Sequence, residues 1–218
     1  MAFFPLTSKY GSRDISPTRN LPGKMVGVVP ATGPDGQKGG AFKFRGRPDS
    51  FIEFPNKGRL DTKDSITILA YVNPETPGPI LNYDPKGFGM HFWMVRPNVL
   101  FARFVKRNKK FTRPVATNRV KPGTWNWVAA TYDKNTGYAR LYVDSRITAE
   151  RNLGRLTLAT NYPVRMGARV GDSRFFRGKI TCVQVYNVAL TGQQIRAARK
   201  SCFKPGKPVN LRSCKLCL

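Results

Sequence analysis

The segment 125–144 constrains the fold more than any other part of the chain. Two runs rich in aromatic and β-branched residues flank the polar residues 133–136 and Gly137. This pattern is typical of a β-hairpin with a short loop, in which Gly137 can adopt a positive φ. One face of the first strand carries Trp125, Trp127, Ala129 and Thr131, and the other carries Asn126, Val128, Ala130 and Tyr132. Because both faces hold large apolar groups, we expect this hairpin to lie inside a packed sheet.

Short alternating runs predict further strands on both sides of this hairpin. They lie at residues 25–29, 41–44, 50–54, 65–72, 80–83, 88–95, 99–105, 111–117, 146–151, 164–167 and 178–186. One helix is predicted after Thr191, which forms a capping box with Gln194. Many short strands, regular turn signals and one late helix predict an all-β fold. We expect a two-sheet antiparallel jelly-roll sandwich with one short helix near the C-terminus.

The length and composition favour one domain with a real core. The chain has 218 residues, of which 40% are hydrophobic and 11% aromatic, so it is not expected to be disordered. We predict an extended lead-in over residues 1–20, a β domain over 21–202 and a basic, cysteine-containing tail over 203–218. No apolar run reaches the roughly 20 residues of a membrane span, and residues 1–5 lack signal-peptide features. The sequence is interpreted as a fragment of a longer secreted protein.

Charge is the strongest global property of the chain. The sequence has 38 Lys and Arg against 12 Asp and Glu, a net charge of +26, which indicates a polyanionic partner. Residues 85–132 and 173–218 contain no acidic residue. The predicted polyanion-binding residues lie in the first of these blocks: Arg96, Arg103, Lys106, Arg107, Lys109, Lys110, Arg113, Arg119 and Lys121. The alternative interpretation is a plain solvated basic surface.

The sequence does not predict an enzyme. The single histidine, His91, lies within a predicted strand and is interpreted as a packed or rim residue. Jelly-roll glycosidases need two carboxylates on either side of the scissile bond, whereas Glu53 and Glu150 stand alone in the sequence. No Ser-His-Asp order, glycine-rich phosphate loop or set of four metal ligands is found.

Six motifs in a fixed order resemble the laminin G-like and pentraxin-like domains. They are residues 41–46, 65–72, 123–129, 141–144, 176–180 and 185–190, and the resemblance covers about residues 20–202. It implies a concanavalin A-like jelly roll and an extracellular module that binds glycans, glycosaminoglycans or matrix proteins. The basic character and the segment 33–36 are also similar to laminin G regions of nacre framework proteins.

The resemblance also implies roles for the cysteines. Cys182 and Cys202 are placed like the C-terminal disulfide of laminin G-like domains, and closing this loop would stabilise the fold by about 3 kcal/mol. Two buried free thiols are the alternative. Cys214 and Cys217 have C-x-x-C spacing without a second pair for zinc, so a local or intermolecular disulfide is expected.

Two departures from the family pattern concern the turn after strand 141–144 and the calcium site. Ser145 stands where the family has glycine, and Thr181 and Cys182 replace an Asp-Glu pair, which removes a carboxylate near the usual calcium. Asp49 is the one candidate ligand for a calcium ion. Since a hard cation needs several oxygen ligands, we expect no cofactor, with calcium as the disfavoured alternative.

These observations predict a non-catalytic, extracellular binding module. Its expected partner is an acidic polysaccharide or an acidic matrix protein. The alternative is a structural component of a biomineral organic matrix, with calcium carbonate as the partner surface. A nucleic-acid binder is the least favoured class, because the fold is of a secreted type. Phe101, Phe104 and Phe111 could stack bases, although strand alternation predicts that they belong to the core.

Overall fold

The protein is described by a computed structural model, in which residues 2–203 are placed. Two antiparallel sheets pack face to face as a sandwich, as predicted. The eight-stranded sheet contains β1 (Ala2–Phe4), β3 (Val29–Ala31), β4 (Ala41–Arg45), β6 (Ile66–Pro74), β11 (Asn126–Tyr132), β12 (Tyr138–Val143), β13 (Arg146–Asn152) and β15 (Arg177–Tyr186). The seven-stranded sheet contains β2 (Lys24–Val26), β5 (Phe51–Phe54), β7 (Gly78–Tyr83), β8 (His91–Arg96), β9 (Val99–Arg103), β10 (Val115–Thr117) and β14 (Val164–Met166).

The predicted hairpin is β11 and β12, and it lies inside the eight-stranded sheet. The strand order is β13-β12-β11-β6-β15-β4-β3, with β1 paired to β15. Ala130 pairs with Leu141 of β12 on one side and with Ile68 of β6 on the other. The seven-stranded sheet has the order β10-β9-β8-β7-β14-β5-β2.

The two faces of β11 serve two separate cores, which explains why both are apolar. Val128 and Tyr132 lie in the core between the sheets, whereas Trp127 and Ala129 pack under the helix. The helix α1 (Gly192–Ser201) has the predicted capping box at Thr191. The indole Nε1 of Trp127 donates a hydrogen bond of 3.2 Å to the carbonyl of Ile195 in this helix. Within residues 2–203, no helix is long and apolar enough to cross a membrane.

A disulfide joins the helix end to the sheet. Cys182 of β15 is bonded to Cys202, with their Cα atoms 5.5 Å apart. Cys182 has a φ of +51° and lies at the register shift of β15 against β6. Cys214 and Cys217 lie outside the described residues.

The segment predicted as a lead-in contributes a strand and a buried carboxylate. β1 pairs with β15, and Ala2 lies opposite Val185. The Asp14 carboxylate accepts hydrogen bonds from the backbone N–H groups of Phe3 at 2.9 Å and of Asn20 at 2.8 Å. This carboxylate therefore ties the two ends of the segment together.

The single strand predicted at residues 25–29 is wrong. The structure contains two strands there, β2 and β3, and they belong to different sheets. Gly27, with a φ of +58°, turns the chain between the sheets. A Cβ atom at this position would lie 2.0 Å from the carbonyl oxygen of Asp49, so only glycine fits.

Candidate aromatic–arginine site

The outer face of the seven-stranded sheet carries an unusual set of side chains. In β9, Leu100 and Ala102 point into the core between the sheets, and strand alternation turns their neighbours outward. The same alternation applies to β8, where Phe92 and Met94 are core residues. The outward side chains of the two strands near their shared end are His91, Trp93, Phe101 and Arg103.

Among the described residues, Arg103 is a half-buried cation without an acidic partner. Its guanidinium carbon lies 5.3 Å from the ring centre of Phe101 and 5.5 Å from that of Phe111. Its Nε atom is buried and has no hydrogen-bond partner. Burial and the neighbouring Arg174 lower the pKa of Arg103, but an arginine side chain stays charged in proteins. An anion bound to the terminal nitrogens of this guanidinium would supply the opposite charge.

Exposed aromatic rings lie beside this arginine and beside the neighbouring Lys109. Phe111 is 53% exposed and Phe88 is 46% exposed, both high values for phenylalanine. The His91 ring lies 6.3 Å from the ring of Phe111, between centroids. The Lys109 ammonium lies 5.8 Å from the centre of the Phe88 ring. We call this surface the aromatic–arginine face, and it comprises Phe88, His91, Trp93, Phe101, Arg103, Lys109, Phe111 and Arg174.

Arg174 covers the indole of Trp93 at the other side of the face. Its guanidinium carbon lies 4.6 Å from the ring centre. Asp172 holds this guanidinium through hydrogen bonds of 2.9 and 2.6 Å, and Arg169 donates a third of 3.3 Å to the same carboxylate. The hydrogen bonds from Arg174 hold the pKa of Asp172 below its usual range. The charge of Arg174 is therefore partly compensated within the protein, in contrast to that of Arg103.

His91 is packed beneath the face and stays neutral. It is 7% exposed, and its Nε2 lies 2.8 Å from the carbonyl oxygen of Gly87. Because a carbonyl oxygen only accepts, Nε2 carries the proton. Burial, followed by the charges of Arg103, Arg169 and Arg174, lowers the pKa of His91 to about 4. The residue accordingly belongs to the packing of the face.

The structure separates the nine cations that the sequence grouped as a polyanion site. Arg103 and Lys109 lie on the aromatic–arginine face. Arg107 instead donates two hydrogen bonds, of 2.7 and 2.8 Å, to the carboxylate of Asp61. Arg96 lies at the opposite end of β8 from His91, roughly 16 Å away at the usual rise of a strand.

The other predicted cations are distributed over several loops. Lys106 and Lys110 share the tight loop after β9, where the Lys106 N–H donates to the Lys110 carbonyl at 3.0 Å. Arg119 lines a separate groove next to the β12–β13 turn. Arg113 and Lys121 are exposed.

The expectation that Phe101, Phe104 and Phe111 are core residues is correct only for Phe104. Phe104 is fully buried, whereas Phe101 points outward from β9 and Phe111 is exposed. Phe111 lies outside β10, which begins at Val115, and forms only an isolated bridge with Val105. The alternation of residues 99–104 already predicts that Phe101 points outward, because Leu100 and Ala102 on either side of it point into the core. Phe88 and Arg174 also belong to the face, but they lie in loops. The sequence pattern did not indicate either of them as a site residue.

Asp49 does not fit a calcium site. Its carboxylate is 59% exposed and forms an ion pair of 3.1 Å with Arg47. Among the described residues, no group of three His, Cys, Asp or Glu side chains could hold a metal ion. One ion-paired carboxylate is a poor substitute for the several oxygen ligands that calcium requires.

The two isolated glutamates belong to different sheets. Glu53 in β5 forms an ion pair of 2.6 Å with Arg165. Glu150 in β13 pairs with Arg140 at 2.9 Å. Since the two carboxylates lie in different layers and each faces an arginine, they do not form the facing pair that glycoside hydrolysis uses.

Comparison with known proteins identifies the family. The laminin G model that describes the concanavalin A-like lectin/glucanases superfamily matches residues 45–196. The chain belongs to this superfamily. The family predicted from the six sequence motifs is thereby confirmed. No curated protein matches this laminin G-like domain significantly in sequence.

Solved structures with the same fold are toxin binding domains. The binding domain of botulinum neurotoxin serotype G is 14% identical, with a TM-score of 0.71 over 90% of this chain and 49% of that one. The binding domain of Paraclostridial Mosquitocidal Protein 1 is 14% identical, with a TM-score of 0.68 over 84% and 48%. The ligand-binding domain of botulinum neurotoxin serotype D, in complex with N-acetylneuraminic acid, is 13% identical, with a TM-score of 0.70 over 92% and 50%.

The laminin G-like domain spans about half the length of these solved structures. At this level of identity the similarity concerns the fold. The matched superfamily is described by its lectins and glucanases, and the similar structures are described as binding domains of toxins.

Proposed function

We propose that this domain is a non-catalytic, extracellular module that binds acidic polysaccharide on its aromatic–arginine face. The observation that carries the proposal is the unpaired guanidinium of Arg103 between the rings of Phe101 and Phe111. The net charge of +26 supports it, since long-range attraction concentrates polyanions near such a surface. The family and the disulfide Cys182–Cys202 both support the extracellular setting.

The face offers the two kinds of contact that an acidic sugar requires. The exposed rings of Phe88 and Phe111 present flat apolar surface on which the C–H faces of sugar rings can pack. Arg103 presents a planar fork of donors that matches a carboxylate or sulfate group. Lys109 adds a second positive charge at the rim of the same surface.

The pre-arrangement of Arg103 favours binding. Its side chain is already held between two rings, so a ligand pays little conformational entropy to engage it. One similar structure is a complex with N-acetylneuraminic acid, which is an acidic sugar.

The test is calorimetric titration with oligogalacturonate and with a heparin-derived oligosaccharide at two salt concentrations. Substitution Arg103→Gln should weaken binding roughly tenfold or more, because it removes a charge-assisted contact. Substitution Phe111→Ala should weaken it roughly threefold to tenfold, because it removes a packing surface. The matched controls are Arg45→Gln and Leu21→Ala, which alter exposed residues elsewhere and should change the affinity less than about twofold.

Two outcomes would contradict the proposal. One is the absence of affinity for any acidic oligosaccharide. The other is an equal loss in Arg103→Gln and Arg45→Gln, which would show that total charge, and not this face, determines binding. A stronger affinity for a single-stranded oligonucleotide of the same charge would favour nucleic-acid binding instead. The role in a mineralised matrix stays a prediction, and adsorption of the domain to calcium carbonate is the assay that tests it.

A further inference from the structure

A second basic site lies on the other side of the sandwich. A groove of about 740 Å³ is lined by Arg119, which follows β10, by residues 143–148 around the β12–β13 turn, and by Arg196 and Arg199 of α1. Three segments that are distant in sequence therefore meet here. We call the four guanidinium side chains of Arg119, Arg146, Arg196 and Arg199 the arginine groove.

The charges of this groove are poorly compensated. Four guanidinium groups face one carboxylate, that of Asp144. In the described part of the chain, the side chains of Arg119, Arg146 and Arg196 form no ion pair and no hydrogen bond. Like charges held close together repel one another, and the groove thus attracts anions from solution.

The fourth arginine is already oriented. The Nε of Arg199 donates a hydrogen bond to the hydroxyl of Tyr71, and its guanidinium carbon lies 5.4 Å from the centre of that ring. Tyr71 packs against Trp127, with ring centroids 4.8 Å apart, so the support is rigid. Burial raises the pKa of Tyr71, and the phenol stays neutral at physiological pH.

The floor of the groove is also fixed. Asp144 and Ser145 have φ values of +49° and +66°, which is the geometry of a two-residue hairpin turn. The Ser145 carbonyl lies 2.7 Å from the position of a Cβ atom on Gly192, so the turn and the start of α1 touch directly. This contact holds Arg146, the first residue of β13, beside Arg196 and Arg199 of the helix.

We propose that the arginine groove binds sulfate groups of an acidic polysaccharide, as a second site independent of the aromatic–arginine face. A planar carboxylate is satisfied by one arginine in a bidentate contact, whereas a sulfate ester has three terminal oxygens that can accept from several arginines at once. The four arginines come from three segments, and this arrangement suits a sulfate ester that accepts from several arginines at once. For the identity of the polymer, the inference rests on the proposed function.

The two sites face away from each other. Arg199 and the helix lie on the outer side of the eight-stranded sheet, whereas Arg103 lies on the outer side of the seven-stranded sheet. Both sheets, about 10 Å apart, separate Arg199 from Arg103, and Arg119 lies at the edge of the sandwich, after the edge strand β10. A tetrasaccharide would have to pass around the edge of the sandwich to contact both Arg199 and Arg103, so we expect one domain to bind two chains.

The experiment measures how many fully sulfated, heparin-derived tetrasaccharides bind to each domain by calorimetry. The wild-type chain should bind two. The triple variant Arg119→Gln, Arg146→Gln, Arg196→Gln should bind one, and so should Arg103→Gln. The matched control Arg45→Gln, Lys57→Gln, Arg155→Gln removes the same charge from exposed positions and should still bind two.

If the wild-type chain binds one tetrasaccharide, and this site persists in the groove variant but is lost in Arg103→Gln, the inference is wrong and the proposed function stands. A site lost only in the groove variant, with Arg103→Gln unchanged, would support the groove and contradict the proposed function. Tetragalacturonate, which carries only carboxylates, should bind the groove roughly tenfold more weakly than the sulfated probe. Equal affinity of the groove for a single-stranded tetranucleotide would overturn the assignment to sulfated sugar.

Discussion

Arg107 and Asp61 form a bidentate ion pair that joins the loop after β9 to the segment between β5 and β6. The two hydrogen bonds measure 2.7 and 2.8 Å, and the same guanidinium donates to the Leu158 carbonyl at 3.2 Å. Thr160 completes the arrangement with a hydrogen bond of 2.7 Å to Asp61. A cation that the sequence assigned to ligand binding is thus occupied in holding the loop that carries Lys109.

Removing this cation should destabilise the fold. Substitution Arg107→Gln leaves the Asp61 carboxylate, which is 17% exposed, without its main partner. We expect a loss of about 1–2 kcal/mol in the free energy of unfolding, measured by urea denaturation. The matched control is Arg140→Gln, which breaks the more exposed pair with Glu150 and should cost less than about 0.5 kcal/mol. Equal losses in the two variants would contradict a structural role specific to Arg107.

The same pair should give a signature in the pH dependence of stability. Burial raises the pKa of Asp61, but hydrogen bonds from Arg107 and Thr160, together with nearby positive charge, lower it below the usual value. The unfolded chain therefore takes up a proton first as the pH falls below about 4. We expect the stability difference between wild type and Arg107→Gln to shrink as the pH falls from 5 to 2 (roughly the range over which the carboxylate titrates). A difference that is constant over this range would argue against the pair.

The single histidine provides a direct reporter of the aromatic–arginine face. The pKa of His91 is lowered to about 4, against about 6.5 in an unfolded chain. The unfolded state binds the proton first, so this residue reduces stability as the pH falls from about 6.5 to 4. Because the chain has one histidine, its imidazole signals can be followed by NMR without ambiguity. An anion bound at Arg103 should raise the pKa of His91, whereas an apparent pKa near 6.5 in the free protein would contradict the packed geometry.

The lysines of the loop after β9 should contribute to binding through their position next to the aromatic–arginine face, beyond their contribution to the net charge. Double reversal Lys109→Glu, Lys110→Glu places one negative charge next to Phe88 at the rim of the aromatic–arginine face and a second on the adjacent loop residue. We expect it to weaken binding of a heparin-derived oligosaccharide roughly tenfold or more at low salt, and less at high salt. The control Lys38→Glu, Lys57→Glu makes the same change in net charge at exposed positions elsewhere. Retention on a heparin column measures the loss. If both double variants elute at the same salt concentration, the loop lysines contribute no more than other exposed lysines.

The sequence by itself determined the architecture, because hydrophobic alternation directly reflects which faces are buried. The hairpin 125–144 and the capping box at Thr191 are local patterns, and the structure contains both. The disulfide Cys182–Cys202, which the family resemblance implied, is also present. Gly27 shows the limit of such patterns. A short apolar run looks like one strand, and only the close approach of Asp49 reveals the turn between sheets.

Only the tertiary structure decided which cations are available. In the sequence, Arg103, Arg107 and Arg119 are equivalent members of one acid-free block. In the fold, Arg107 meets Asp61, which lies 46 residues away in the chain, and Arg119 joins Arg196 and Arg199 in a different surface. Arg103 alone of these is left between aromatic rings. Charge acts through space, so the partners of each arginine depend on contacts between distant segments that alternation and composition do not encode.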